Sequence, residues 1–428
     1  VFVGVTVLRT SSLITIKLTN SFQSCIRFND FGFNHLDMHK LTLRKNEERR
    51  LHAGHQWIFS NELVDVPKHI PAGEVVALYS HSNRFLGIGF FNPHSLISFR
   101  LLSEVQQEVS QAFFEARLQQ AYNLRKKLYP ESRTNAFRLI HAESDRLSGL
   151  IIDKFDSVFS VQTFSAGMEK HLPNICNALK SLFSPKAIVI RNESELRLME
   201  GLSQYKRVEF GSLNGTVEIY DEDLFYEVDV LNGHKTGFFL DQRENRKAIR
   251  PFAQNADVLD VFTSDGGFAL NACKAQAKSV LAIDASDDAL ARTTRNAERN
   301  GFSQLQTLKA DAFNVLEEFV KEKRQYNLVM LDPPSLTKSK KTVATALQAY
   351  RKLNRLGISL VKPGGFFATS SCSHHIGESE FFETVQKASN DAKRECVLLQ
   401  KSSQAPDHPV LLAMPETKYL KFGLFFVR

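Results

Sequence analysis

The spacing of hydrophobic and polar positions changes character along the chain, and each change marks a new kind of element. Between 38 and 102, short alternating stretches at 39–43, 74–78, 85–91 and 95–101 are punctuated by Gly54, Gly73, Gly87 and Gly89. Period-two alternation broken by glycine turns predicts a small β-barrel. Over 104–128 the apolar positions Val105, Val109, Phe113, Ala116, Leu118 and Ala121 adopt helical spacing. Strands are predicted again at 137–141, 150–153 and 157–163, then a helix over 168–183, a strand at 187–190 and a hairpin over 215–226. That middle block reads as a small α+β domain. From about Val228 strands and helices alternate, which predicts a parallel sheet with crossover helices. The expected fold is therefore α/β, a Rossmann-like domain over 227–428, preceded by a small barrel over 38–104 and an α+β domain over 105–226.

Length supports this division, because 428 residues exceed the ~250–300 at which a single core stops growing. The first 37 residues stand apart: they hold Arg9, Lys17 and Arg27, no acid before Asp30, and no methionine before Met38. They are expected to be a start placed upstream of the true one or a targeting extension, dispensable for folding and activity. No apolar run reaches the ~18–20 residues of a membrane span, which excludes an integral helical membrane protein. Cys25, Cys176, Cys273, Cys372 and Cys396 form no Cys-x-x-Cys pair. A disulfide scaffold and a zinc site are both disfavoured, no metal is expected, and a reducing compartment such as the cytoplasm fits.

The chemistry-bearing residues cluster at predicted strand ends. Val258-Leu-Asp-Val-Phe262 leads into Thr263-Ser-Asp-Gly-Gly267 and a helix, the place where ligands bind in doubly wound sheets. A second strand ends in Asp284, where an acid can accept hydrogen bonds from ribose hydroxyls, and a third ends beside Asp311, placed to contact an adenine. A pyrophosphate would call for Gly-x-Gly-x-x-Gly. This loop instead has Gly266 and Gly267 flanked by Asp260 and Asp265, which repel phosphate but suit the ammonium and sulfonium groups of S-adenosyl-L-methionine.

The fourth strand ends in Asp332-Pro-Pro334 and the fifth in Ser371-Cys-Ser373. Neighbouring ends of a parallel sheet lie side by side, so Asp332 and Cys372 are expected to share one pocket. Carbon 5 of a pyrimidine is a poor nucleophile until a thiolate adds to carbon 6. Cys372 is thus the candidate nucleophile, and Asp332 the group that holds or protonates ring N3. For the base that removes the carbon 5 proton, His374, His375 and water stay open. Amino-nitrogen methylation is the alternative chemistry, disfavoured because Ser335 stands where an aromatic would stack on a flipped base.

With these residues in place, the sequence resembles the large-subunit ribosomal RNA cytosine-5 methyltransferases of the methyltransferase I type. The resemblance covers Met38 to Arg428 and rests on Gly54-His-Gln-Trp-Ile-Phe-Ser-Asn61, Asp145-Arg-Leu-Ser-Gly-Leu150, Lys235-Thr-Gly-Phe-Phe-Leu-Asp-Gln-Arg-Glu-Asn-Arg246, Asp332-Pro-Pro334, Ser371-Cys-Ser373, Asp407-His-Pro-Val410 and Pro415-Glu with Tyr419-Leu-Lys421. It implies a PUA domain, a small central domain and a class I methyltransferase domain using S-adenosyl-L-methionine. It also implies Cys372 and Asp332 as catalytic residues, and Asp260, Thr263, Gly266, Asp284 and Asp311 around the cofactor. The turn residues Phe239, Asp241 and Gln242 would lie against the cofactor too. Relatives carry a sequence like Cys-Tyr-Thr before the two glycines, whereas this chain has Thr263-Ser-Asp265. That departure leaves open an inactive relative acting as an RNA-binding assembly factor.

Charge sharpens the expected partner. The formal balance is +7, from 54 Lys and Arg against 47 Asp and Glu. Residues 333–377 alone hold seven positive charges and no acid: Lys338, Lys340, Lys341, Arg351, Lys352, Arg355 and Lys362. Lys338, Lys340 and Lys341 leave the fourth strand directly and are expected to meet the phosphates of ribosomal RNA around a flipped base. A homodimer is an admissible assembly; no membrane partner is expected.

Overall fold

Glycine-punctuated alternation builds the first sheet. The computed structural model describes residues 7–10, 13–16 and 38–428, apart from His234 and Lys338. The expected leader lies outside the described residues, save for an antiparallel pair of strands, Val7–Thr10 and Leu13–Ile16. The first sheet has five strands in the order Lys40–Thr42, Glu74–Tyr79, Phe85–Phe91, Ile97–Ser103, Trp57–Phe59. Leu43, Ile58, Val76, Leu78, Phe91 and Phe99 fill its core.

The helix predicted over 104–128 begins only at Gln111. Before it, Ser103 Oγ donates to the Val105 carbonyl and accepts from the Val105 amide, a local turn that holds the chain out of helix. The helix predicted over 168–183 is two helices, Ala166–Lys170 and Leu172–Phe183. Pro173 explains the break: it has no amide to donate, so it sits in the first turn of a new helix.

Five further strands form a second sheet in the order Tyr205–Gly211, Ala187–Asn192, Val158–Thr163, Leu150–Phe155, Ala136–His141. A hairpin, Val217–Asp221 with Leu224–Val228, packs on it and shares a core cluster with Leu270 and Ala297 of the C-terminal part. Asn296 Oδ1 accepts the Glu227 amide at 2.7 Å, which pins this hairpin to the helix Asp287–Arg299 of the C-terminal part.

That last sheet has seven strands. They are β1 (Asp257–Val261), β2 (Ser279–Asp284), β3 (Leu305–Lys309), β4 (Tyr326–Leu331), β5 (Val361–Ser371), β6 (Cys396–Ser402) and β7 (Lys421–Val427). Their spatial order is β3-β2-β1-β4-β5-β7-β6. The parallel sheet expected from the sequence holds from β3 to β5, but β7 runs antiparallel to both β5 and β6. The order reverses between β1 and β4, so the carboxyl ends of those strands open a crevice at the switch point.

Candidate active site

At the end of β1 the backbone turns through three left-handed residues: Phe262 (φ 64°), Ser264 (φ 51°) and Gly266 (φ 83°). Strain of this kind persists where surrounding contacts over-determine it, often at functional sites. Asp260, only 1% exposed, anchors the turn. Its Oδ2 accepts from Thr263 Oγ1 at 2.6 Å and from the Ala269 amide at 3.0 Å. Its Oδ1 is buried without a hydrogen-bond partner. Burial in this setting pushes the Asp260 carboxyl up to about 7.

Asp284 closes the turn from the β2 side. Its Oδ2 accepts the Ser264 amide and its Oδ1 the Ser286 amide, each at 3.0 Å. Asp265, the departure from the resemblance, pairs with Arg292 at 2.6 Å, so its charge is matched from the helix Asp287–Arg299. Asp311 is exposed and caps the helix Ala312–Lys321, its Oδ1 accepting the Asn314 amide at 3.0 Å.

Asp332 and Cys372 follow the ends of the adjacent parallel strands β4 and β5. Leu331 of β4 pairs with Thr369 of β5, which sets Asp332 opposite Ser370. Ser370 Oγ donates to Asp332 Oδ1, and Gln242 Nε2 donates to the same oxygen at 2.8 Å. Cys372 lies two residues beyond Ser370, just past the end of β5, near enough for the Asp332 charge to act on its thiol. Burial raises the Asp332 carboxyl above its usual range, with Asp241 adding to the rise and the Ser370 bond opposing it. Burial likewise raises the Cys372 thiol; Asp332 and Asp241 add to this, while Lys235 and Lys421 oppose it.

The turn Leu240–Gln242 forms the third wall. Asp241 is buried, its Oδ2 accepting the Tyr419 hydroxyl at 2.6 Å and its carbonyl the Ala405 amide at 2.8 Å. Lys235 lies over the Phe239 ring at 4.7 Å. The Asp407-His-Pro loop braces this wall from behind. Asp407 Oδ1 bonds His408 Nδ1 at 2.9 Å, Asp407 Oδ2 accepts the Arg138 amide at 3.0 Å, and its carbonyl accepts from Arg125 at 3.0 Å. Arg125 in turn forks onto Asp145, which explains two of the recognised sequence marks as one buried brace.

Sequence reading gave Lys421 only as the close of the Tyr419-Leu-Lys421 mark and assigned it no role. Its Nζ donates to the Ser373 carbonyl at 2.7 Å and the Tyr419 carbonyl at 2.8 Å, one residue from Cys372 in the chain. Burial takes its ammonium down to about 8, with Cys372 opposing. Besides that mark, the available signal was a single charge opening the otherwise apolar Lys421-Phe-Gly-Leu-Phe-Phe-Val427. His374 stacks on Tyr419 at 5.2 Å, and burial beside Lys421 and Lys235 takes it down to about 4. Ser335 Oγ bonds Ser373 Oγ at 3.1 Å, so it braces the strand end instead of facing a base.

The charge-rich segment is only partly free. Arg351 pairs with Asp391 at 2.6 Å, Lys352 with Glu317 at 2.7 Å and Lys362 with Asp257 at 2.8 Å. The acid-free segment is therefore neutralised in part by acids from elsewhere in the chain. Lys340 and Lys341 are exposed on a short turn, and among the described residues no carboxylate pairs with them. Lys338 lies outside the described residues. Among the described residues no group of three or more His, Cys, Asp or Glu could hold a metal ion, and no helix is long and apolar enough to cross a membrane.

Comparison with known proteins places this geometry. Residues 41–104 match the family model of the PUA-like domain, and residues 140–411 that of the S-adenosylmethionine-dependent methyltransferases. The ribosomal RNA large subunit methyltransferase I of Pseudoalteromonas atlantica is 37% identical over 385 residues, 89% of this chain and 98% of the relative. The protein of the same name from Alteromonas mediterranea is 35% identical, covering 89% and 97%. Among solved structures, a SAM-dependent methyltransferase from Streptococcus mutans superposes with a TM-score of 0.77 at 21% identity, covering 91% of this chain and 100% of that one. A methyltransferase complexed with SAH gives a TM-score of 0.79 with the same identity and coverage.

Proposed function

Because this chain belongs to the ribosomal RNA large subunit methyltransferase I family of S-adenosylmethionine-dependent methyltransferases, we propose that it methylates carbon 5 of a cytosine in large-subunit ribosomal RNA, with Cys372 as nucleophile. The observation that carries the cytosine reading is the placement of Asp332 and Cys372 at the ends of adjacent parallel strands, near enough for the Asp332 charge to act on the Cys372 thiol.

The β1 turn suits the cofactor chemically. The partnerless Oδ1 of Asp260 is a buried acceptor awaiting a cation, and the cofactor carries an ammonium and a sulfonium. Asp284, at the end of the neighbouring strand, is available to ribose hydroxyls. When bound, the cofactor supplies one electrophilic methyl group.

The remaining work belongs to the chain. The Cys372 thiolate adds to carbon 6, and the displaced π electrons move through the ring toward N3. A raised Asp332 carboxyl is suited to donate a proton there. Carbon 5 becomes enamine-like and nucleophilic. Once it carries the methyl, a water or nearby histidine takes the carbon 5 proton, the thiolate is expelled, and N3 returns its proton to the Asp332 carboxylate, which restores the neutral aromatic ring. Burial raises the half-buried Cys372 thiol above its usual range, and Lys235 and Lys421 oppose that rise, favouring the thiolate. His374, at about 4, is a weak base for the carbon 5 proton. We assign RNA contact to Lys338, Lys340 and Lys341 and to the PUA-like sheet.

The test is incubation of wild type and Cys372→Ala with radiolabelled S-adenosylmethionine and deproteinised ribosomal RNA, followed by nucleoside analysis. The expected product is 5-methylcytidine, absent with Cys372→Ala. Methylated adenosine or guanosine would overturn the reading in favour of amino-nitrogen transfer.

A further inference from the structure

Arg246 closes the Lys235–Arg246 motif and is only 6% exposed, yet its Nε and Nη1 have no hydrogen-bond partner. Its guanidinium lies 4.6 Å over the Phe238 ring. On the other side it rests on Gly267, the first residue of the helix Gly267–Lys274. A Cβ added there would stand 2.3 Å from Arg246 Nε and 2.6 Å from its Cζ, so only glycine admits the guanidinium. The nearby Asp221 does not satisfy it, being 3.0 Å from Arg243.

Leaving a buried guanidinium without hydrogen-bond partners is costly, so the group calls for an explanation, and a ligand is one that its position supports. Here a second orphan of opposite charge, Asp260 Oδ1, lies on the same glycine turn, whose Gly266 and Gly267 follow directly from β1. No ion pair joins Asp260 to Arg246 among the described residues, although the Arg246 charge opposes the rise that burial imposes on the Asp260 carboxyl. A buried anion and a buried cation that both keep an open valence, held apart by one turn, match a zwitterion between them.

We propose that Arg246 anchors the carboxylate of the cofactor's amino-acid end while Asp260 Oδ1 takes its ammonium. This deepens the cofactor reading and rests on it. The carboxylate also gains from lying at the start of the Gly267–Lys274 helix, where the peptide dipoles favour an anion. Fork geometry explains why the position holds Arg: a guanidinium pairs with a carboxylate through two parallel N–H bonds, a lysine through one point charge.

The experiment is calorimetric titration of the full chain with S-adenosylmethionine, its decarboxylated form and 5′-deoxy-5′-methylthioadenosine, on wild type, Arg246→Met and Arg246→Lys. For wild type, loss of the ligand carboxylate is expected to weaken binding about 10- to 100-fold, the range of a charge-assisted hydrogen bond. Arg246→Met is expected to weaken S-adenosylmethionine by a similar factor and leave the decarboxylated form within about twofold. Arg246→Lys should fall between. Equal weakening of both ligands by Arg246→Met would overturn the assignment, as would wild type binding both ligands equally well. The ligand comparison on wild type stands even where Arg246→Met fails to fold. If wild type binds none of the three ligands, the cofactor site itself is overturned, and the Arg246 assignment with it.

Discussion

Gln242 Nε2 donates to Asp332 Oδ1 at 2.8 Å, joining the turn before the seven-stranded sheet to the end of β4. Asn245 Nδ2 holds the amide in place from behind, donating to Gln242 Oε1 at 2.7 Å. Gln242 was expected beside the cofactor on resemblance; here it sets the position and charge of the proposed acid. Hydrogen bonds to a carboxylate favour its ionised form, so their removal raises its pKa further. Gln242→Leu should therefore shift the Asp332-controlled alkaline limb of kcat/KM to higher pH and cut kcat about tenfold. S-adenosylmethionine affinity should barely change. A pH–rate profile checks this, and a limb that stays put counts against the role given to Asp332.

Lys421 gives a second handle, because its two carbonyl partners aim it at the Cys372 end of β5. Its charge opposes the burial that raises the thiol. With an ammonium near 8, that support is present below about pH 8 and fades above it. Lys421→Met should move the pH midpoint of Cys372 alkylation upward and lower methyl transfer about 100-fold. Lys421→Arg should restore much of the alkylation profile. Mass mapping of iodoacetamide-labelled Cys372 across pH reads the shift without depending on which nucleoside is methylated. An unmoved midpoint in Lys421→Met would remove Lys421 from the reaction.

Asp260 predicts how cofactor binding depends on pH. Its carboxyl sits near 7 in the free protein, and the proposed ammonium contact requires the ionised form. Binding must then expel a proton below about pH 7, and affinity should fall up to about tenfold per pH unit on acidification. Calorimetry in buffers of different ionisation enthalpy counts the released proton directly. The sign for stability is opposite. The free folded chain binds more protons at Asp260 than the unfolded chain between about pH 4 and 7, so this residue lowers stability as pH rises through that window. Asp260→Asn should therefore abolish the slope, raise the ligand-free Tm at pH 8, and weaken S-adenosylmethionine. A ligand-free Tm at pH 8 unchanged or lower in Asp260→Asn would contradict the buried-charge account.

What could be read from the sequence was whatever depended on local period and strand ends. Asp260, Asp284 and Asp332 announce themselves because packing alone seldom places an acid at the close of a buried apolar run, and Cys372 follows from sheet order. The strand Tyr205–Gly211 escaped because it is an exposed edge: Lys206, Arg207 and Glu209 erase the alternation that burial would impose. β6 and the reversed β7 escaped for a different reason, since direction within a sheet depends on connections that no strand's own residues encode. The roles of Arg246 and Lys421 were also hidden, although both stand in motifs that carry the resemblance. A cation looks like any surface charge until tertiary packing buries it, and the partners that give it meaning lie far away in the chain. The same limit misjudged the charge cluster, whose Arg351, Lys352 and Lys362 have acids waiting on other elements.

That pairing makes the RNA prediction sharper than charge counting alone. Lysines already satisfied by carboxylates contribute little to phosphate binding, because they must first give up a partner; Lys340 and Lys341 have none to give up among the described residues. Each phosphate contact contributes about 0.7–0.9 to the slope of log K against log salt. Lys340→Ala with Lys341→Ala should therefore reduce that slope by about 1.4–1.8 and weaken ribosomal RNA binding at low salt. Arg351→Ala with Lys352→Ala removes the same formal charge but should leave the slope within about 0.5 of wild type. Filter binding across a salt series separates the two pairs. Equal slopes for both double variants would mean that net charge, not this turn beside β4, governs contact with RNA.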